Sequence, residues 1–350
     1  MAIPSMDCEE RLVPFTAGDG VKLNLVNVRR RGERPTRDPV LLVHGAGVRG
    51  NIFRAPVQRN VVDALLEAGY DVWLENWRAS IDVAPNAWTL DQAALFDHPA
   101  AVKAVVAETG ASSIQAIVHC QGSTSFAMSA VAGLVPEVRT IVTNAVSLHP
   151  VVPWWSEQKL RFAVPVVSEL TPFLSPAWGR PGKRNTPGLV PKSLTALVRA
   201  VHHECDSTVC KMVSFTYGSG FPALWRHENL NGETHDTFIG GEFGAVPLSF
   251  FKQMSRCVEA GRMVRYEELS GLPGDFADGA PKTDARFSFF AGEHNLCFLP
   301  DSQKQSYAYL NAVAPGKHTL HVLPGYSHLD VFLGKNASQD VFPRILNELN

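Results

Sequence analysis

The stretch from Ser113 to Thr124 (SIQAIVHCQGST) constrains the fold of this chain more than any other. A β-branched apolar run (Ile114, Ile117, Val118) stops abruptly at His119-Cys120-Gln121-Gly122, and a small-residue segment of helical character, Phe126 to Ala132, follows at once. A strand, a sharp turn and a helix in direct succession leave one reactive side chain, Cys120, at the apex.

The flanking chain repeats this alternation. Pro39 to Val43 is a continuous apolar run, as expected of a strand buried on both faces, and it stops at His44-Gly45-Ala46-Gly47, where small residues let backbone N–H groups face a ligand. Val57, Val61, Val62, Leu65 and Leu66 recur at helical spacing before Gly69, Asp71 to Arg78 reads as a strand, and Leu90 to Thr109 as a helix ended by Gly110. Strand, helix, strand, helix predicts a parallel α/β sheet with right-handed crossovers. Ahead of it, Leu12 to Arg30 alternates around Gly18-Asp19-Gly20, which predicts a β-hairpin at an antiparallel edge. Val138 to Val146 makes a further strand. The rhythm is then lost in a Pro- and aromatic-rich stretch and returns with strands at Ala285–Ala291 and His318–Leu323 and a closing helix from Val331 to Leu349. The expected organisation is a core of residues 1–150 and 281–350, interrupted by an inserted, mostly helical cap at 151–280.

Composition narrows the function classes. Hydrophobic residues at 45%, charged residues at 19% and a formal net charge of -2 describe a globular chain with a sizeable core and give no electrostatic case for nucleic acid or an anionic membrane as partner. The start, Met1 to Cys8, lacks a secretory pattern, and no uncharged apolar run reaches the roughly 18 residues of a spanning helix, so the cytoplasm is the default expectation. The six cysteines (8, 120, 205, 210, 257 and 297) are then expected as thiols. The basic cluster Arg29, Arg30, Arg31, Arg34 and Arg37 reads as a solvated connector, with a phosphate patch for a coenzyme A tail as the sharper alternative.

The turn at Cys120 resembles the nucleophile elbow of α/β-hydrolases, with cysteine in the serine position and Val118 in place of the first glycine. Phe96 to Val102, Thr109-Gly110 and His119 to Thr124 look like the nucleophile-bearing stretch of acid (gastric and lysosomal) lipases, and Asp71 to Arg78 and Tyr326 to Asp330 resemble two more blocks of that family. The ending His328 to Ala337 is closer still to the lipase-like domain that occurs alone or fused to cholesterol-oxidase-type flavoenzymes. The likeness covers about residues 40–150 and 285–350. Cysteine in the elbow is similar to polyhydroxyalkanoate synthases. The resemblance implies an α/β-hydrolase fold and an acyl-enzyme mechanism without a cofactor.

Such a nucleophile needs a base, an orienting partner and an oxyanion hole. His328, just after the last strand, is the expected base; Gln121 and Ala46 would supply the oxyanion N–H groups. Where acid lipases place the triad aspartate, Gly292-Glu293-His294-Asn295 puts Asn295, with Glu293 and Asp301 as rivals and Asp330 as a helix-start residue. Asparagine in a serine triad costs about 10⁴ in kcat. A thiol is expected to escape this penalty by forming a thiolate and imidazolium pair before substrate arrives. Trp154, Trp155 and His119 are candidate pocket residues, and Trp178, Phe221 and Trp225 line a pocket or fill the cap's own core. His202-His203-Glu204-Cys205 with Cys210 lacks a second ligand pair, so no metal is expected. The predicted activity is hydrolysis of an ester or thioester of a bulky apolar substrate, with a homodimer allowed. The alternatives are an acyltransferase or cyclase, and a non-catalytic binding module on the same fold.

Overall fold

Apolar runs without polar alternation are stable only as strands covered on both faces. The computed structural model, which describes residues 6–180, 188–218 and 224–350, places them so. In chain order the strands are β1 (Cys8–Thr16), β2 (Lys22–Arg30), β3 (Pro39–Val43), β4 (Asp71–Asn76), β5 (Ile114–His119), β6 (Val138–Asn144), β7 (Phe173–Leu174), β8 (Val246–Pro247), β9 (Arg286–Gly292) and β10 (Thr319–Leu323). Eight of them form one sheet in the order β1-β2-β4-β3-β5-β6-β9-β10, and β7 and β8 form a separate ribbon. In the large sheet the β1/β2 hairpin and its pairing to β4 are antiparallel and the remaining pairs are parallel. Every residue of β3, β4 and β5 is buried. The register sets Val43 and Thr143 on either side of Val118, which completes the core below the turn.

The helix Val61–Glu67 is nucleated by a reciprocal cap between Asn60 and Asp63 and begins later than Val57. The expected helix from Leu90 to Thr109 is continuous but contains a π-helical stretch at Ala93–Asp97. Among the described residues between β6 and β9, the longest helices are Leu189–Val201, Thr208–Tyr217 and Leu248–Ala260. Phe221, Pro222 and Ala223, and the start Met1 to Ser5, lie outside the described residues. The expected closing helix from Val331 to Leu349 is corrected to three short ones, Asp330–Leu333, Ala337–Asp340 and Phe342–Leu349. Gly334 leaves the helical conformation and Pro343 opens the last piece, so the hydrophobic spacing spans two breaks. No helix among the described residues is long and apolar enough to cross a membrane.

The basic cluster is largely neutralised. Arg29 holds Asp71 at 2.9 Å, Arg30 holds Glu33 at 2.8 Å and Arg31 holds Asp7 at 3.0 Å, as a connector tied to its surroundings would.

One buried ion pair fixes the base of the site. Arg78, at the exit of β4, donates Nε to Asp97 at 2.9 Å, its backbone N–H bonds the same carboxylate at 3.0 Å, and Asp19 takes Nη2 at 3.0 Å. Both Arg78 and Asp97 are buried, so removing one partner strands a charge. Asp97→Ala is expected to lower the unfolding free energy by about 3–5 kcal/mol, read from the urea midpoint at unchanged slope. Glu108→Ala, which breaks the exposed 2.7 Å pair with Arg11, is expected to change it by less than about 1 kcal/mol.

Candidate active site

Cys120 stands at the junction of β5 and the helix Cys120–Val131 with φ 55, a left-handed conformation that a side chain tolerates only under constraint. The constraint is a pair of close approaches. A Cβ on Gly122 would lie 2.2 Å from the carbonyl oxygen of His44, and one on Gly45 would lie 2.9 Å from Cβ of Cys120. The helix therefore touches the loop after β3 backbone to backbone, and the N–H groups of Gln121 and Ala46 both reach the Cys120 sulfur. The Ala46 carbonyl accepts Tyr217 Oη at 2.8 Å, which holds that peptide in place.

His328 follows β10, and a nitrogen of its ring, a nitrogen of the His119 ring and Cys120 Sγ lie within 4.8 Å of one another. Asn295, in the loop after β9, meets His328 Nδ1 through Nδ2 at 3.1 Å, and His328 Nε2 has no hydrogen-bond partner. The fold therefore brings Cys120, His328 and Asn295 together. Glu293 is exposed and accepts from the Gly325 N–H, and Asp301 is exposed and pairs with Lys304.

The Asn295 contact differs from the expected one in its polarity. Asn295 Oδ1 accepts the N–H groups of Cys297 at 3.0 Å and Phe298 at 3.1 Å, so the amide turns its NH₂ toward the ring. An NH₂ group only donates; Nδ1 must be the acceptor, and the neutral ring carries its proton on Nε2. Asn144 repeats the arrangement next door, donating Nδ2 to His119 Nδ1 at 2.9 Å and to the His328 carbonyl at 3.0 Å. Protonating either ring would aim a new N–H at an NH₂. Burial acts in the same direction: it pushes His328 down to about 3 and lowers His119 as well. Burial also pushes the Cys120 thiol up to about 12, against the opposing pull of the two N–H groups. Both directions, like the two amide contacts, oppose the expected thiolate and imidazolium pair.

A cavity of about 40 Å³ opens on Cys120 and Gln121, far smaller than the roughly 300 Å³ at which ordinary ligand pockets begin. Val152, Leu160, Phe250, Phe251, Met254 and Phe298 make its walls mostly apolar. Trp154 and Trp155 are not among them. They are 59% and 67% exposed, edge to face on the outside of a helix whose other side turns Ser156 and Leu160 to the cavity. Trp225 is buried against Phe243, and Trp178 packs on the core.

Three features were not legible in the sequence. Lys159 borders the cavity, and its ammonium donates to the carbonyls of Phe215 at 2.8 Å and of Thr216 and Gly218, at the C-terminal end of Thr208–Tyr217; burial lowers it to about 8. Glu75, His98 and Ser125 form a carboxylate, imidazole and hydroxyl chain (2.9 and 2.7 Å). All three are fully buried away from the cavity, and Ser125 Oγ donates to the Gln121 carbonyl at 3.0 Å, so the chain braces the elbow from behind. Asp330 opens the helix Asp330–Leu333, as read from the sequence, and its carboxylate is in addition a buried anchor. It accepts Ser327 N–H at 2.7 Å, Asn229 Nδ2 at 2.7 Å and Arg226 N–H at 3.2 Å, fixing the His328 loop to the helical segment.

No family model matches the chain. It is similar to Sterol esterase 2 of Saccharomyces cerevisiae, 27% identical over 139 residues, which are 34% of this chain and 26% of that protein. It is also similar to gastric triacylglycerol lipase of Rattus norvegicus, 33% identical over 110 residues, 28% of this chain and 27% of that protein. The chain thus spans about a quarter of the length of these two relatives. Among solved structures, the Pyrococcus furiosus esterase Pf2001 matches with TM-score 0.53 at 13% identity, over 98% of this chain and 93% of that one. Epoxide hydrolase VrEH1 of Vigna radiata matches with TM-score 0.56 at 15% identity, over 99% of both chains.

Burial pushes Asp330 up to about 6, against the three donors it accepts. A carboxyl held above its unfolded value of about 4 contributes stability that is complete below pH 4 and is lost as pH rises through 6. Unfolding free energy is expected to fall by on the order of 2–3 kcal/mol across that window, and the difference between wild type and Asp330→Asn in denaturant melts at stepped pH isolates this contribution. The strand order, the elbow and the position of its helix identify the chain as one with the α/β-hydrolase fold.

Proposed function

We propose that this protein is a hydrolase of esters or thioesters with a bulky apolar part, acting through an acyl-enzyme on Cys120. The observation that carries this reading is the placement of Cys120: a strained elbow residue whose sulfur is reached by the N–H groups of Gln121 and Ala46, with His328 beside it. The sterol esterase and triacylglycerol lipase among its relatives support an apolar ester, as does the apolar lining of the cavity. Residues 151–280 serve as a cap over the site. Exposed Trp154, Trp155, Phe162, Val166 and Leu170 give that cap an apolar outer face suited to meeting such a substrate.

In this scheme the Cys120 thiol attacks the carbonyl carbon, the oxyanion takes the two N–H groups, and His328 Nε2 receives the thiol proton and passes it to the leaving group. To receive it, His328 must carry its other proton on Nδ1, which requires Asn295 to turn Oδ1 to the ring and release the Cys297 and Phe298 N–H groups. Each unmet buried donor costs about 1–3 kcal/mol. The asparagine is then a brake, and a slow enzyme is the consequence. A carboxylate there accepts all three N–H groups without turning.

A second reading, acyl transfer, is favoured by the mostly apolar lining of the cavity, since a thioester kept from water stays available to an alcohol or thiol. Mass spectrometry of the intact protein after exposure to p-nitrophenyl esters and acyl thioesters, with and without an added alcohol, separates the two by product. Cys120→Ala is expected to abolish both adduct and turnover; unchanged turnover in that variant ends the Cys120 scheme, and a wild-type protein with neither adduct nor turnover on any ester is a binding module. Asn295→Asp is expected to raise kcat/KM by at least about 10-fold and to shift the acidic limb of the pH profile upward. A fall in kcat/KM would remove the brake from the scheme.

A further inference from the structure

Cys205 and Cys210 stand near His202 and Glu204 in the sequence, but the fold sorts them differently. His202 Nδ1 pairs with Glu204 at 3.1 Å, and the two cysteines turn instead to histidines 30 and 17 positions away. Cys205 Sγ lies 3.4 Å from His235 Nε2, and Cys210 Sγ lies 3.4 Å from His227 Nε2. The four ligand-type atoms all fall within 4.8 Å of one another.

We infer that Cys205, Cys210, His227 and His235 form a tetrahedral site for one structural zinc ion. Bonds of about 2.3 Å to sulfur and 2.0–2.1 Å to nitrogen at tetrahedral angles put sulfur and nitrogen about 3.6 Å apart, close to both distances here. The surroundings are those of a prepared site. The Ser207 N–H donates to Cys205 Sγ at 3.3 Å, and Ser207 Oγ accepts the Cys210 N–H at 3.3 Å, fixing both cysteines at the start of the helix Thr208–Tyr217. Asp236 Oδ1 lies 2.6 Å from His235 Nδ1, a contact that places the ring proton there and leaves Nε2 free to ligate. Two thiolates and two imidazoles select zinc over magnesium or calcium, and four protein ligands leave no open position, so the ion is structural. Binding displaces the two thiol protons, and the thiolates balance the ion's charge.

The site also has a place in the architecture. The helix Thr208–Tyr217, which carries Cys210 in its first turn, ends at Tyr217, which lines the cavity and holds Ala46. His227 lies between Arg226 and Asn229, whose N–H and side-chain NH₂ hold Asp330 under the His328 loop. One ion would therefore join a cavity wall to the support of that loop.

The test uses the full chain, purified with its tag removed and without chelator from zinc-supplemented cells, and elemental analysis. About one zinc per chain is expected, falling below about 0.1 in Cys210→Ser and His235→Ala and unchanged in His202→Ala. Should the variants fail to fold, wild-type protein is stripped with a strong chelator under reducing conditions and titrated with Co²⁺. One equivalent is expected to give the intense visible bands and the thiolate charge-transfer band of a tetrahedral sulfur site. A chain that takes up neither zinc nor cobalt, zinc retained in both variants, or a Cys205–Cys210 disulfide found by peptide mapping of the untreated protein would overturn the inference.

Discussion

The contact on which the site depends is between two backbones. At Gly122 the elbow helix meets the carbonyl of His44 with no room for a side chain, and at Gly45 the loop lies against the side chain of Cys120. These approaches set the β3 loop against the β5 turn, which carries the Ala46 N–H to the sulfur and keeps Cys120 in its left-handed conformation. Val118, two residues ahead of Cys120, is fully buried between Val43 of β3 and Thr143 of β6.

Around this frame the polar groups agree on neutrality. Two asparagines, Asn295 and Asn144, each present an NH₂ to a histidine Nδ1, and both rings are buried. A charged imidazole is opposed twice, by lost hydration and by a donor facing a donor. The charges nearby are used elsewhere: Asp330 under the histidine loop, Lys159 on the end of a helix, Arg78 and Asp97 beneath the elbow. The scaffold is held by ionic and charge-assisted contacts, whereas the reactive pair is kept out of them.

How much of this the sequence disclosed follows from the range of each signal. Strand β3 was legible as an uninterrupted apolar run and β5 as a β-branched run that stops at a turn, and the placement of Cys120, His328 and Asn295 because each follows a strand, at positions set by chain order. The direction of the Asn295 amide was not, because it is decided by the N–H groups of Cys297 and Phe298, which point according to the loop's shape. Trp154 and Trp155 read as pocket residues by type, but helix phase turned them outward. The closing helix kept its hydrophobic spacing across two breaks. The cysteine and histidine tetrad left no local pattern, since its two pairs meet only after the helical segment has folded back on itself.

The Cys120 sulfur sits on the very N–H groups that would hold a substrate's oxyanion. In the proposed reaction an arriving carbonyl oxygen would compete with the sulfur for those donors. Docking and unmasking of the nucleophile become one event, so that in the proposed reaction the substrate serves as its own key, and a molecule without a carbonyl to offer leaves the thiol sheathed.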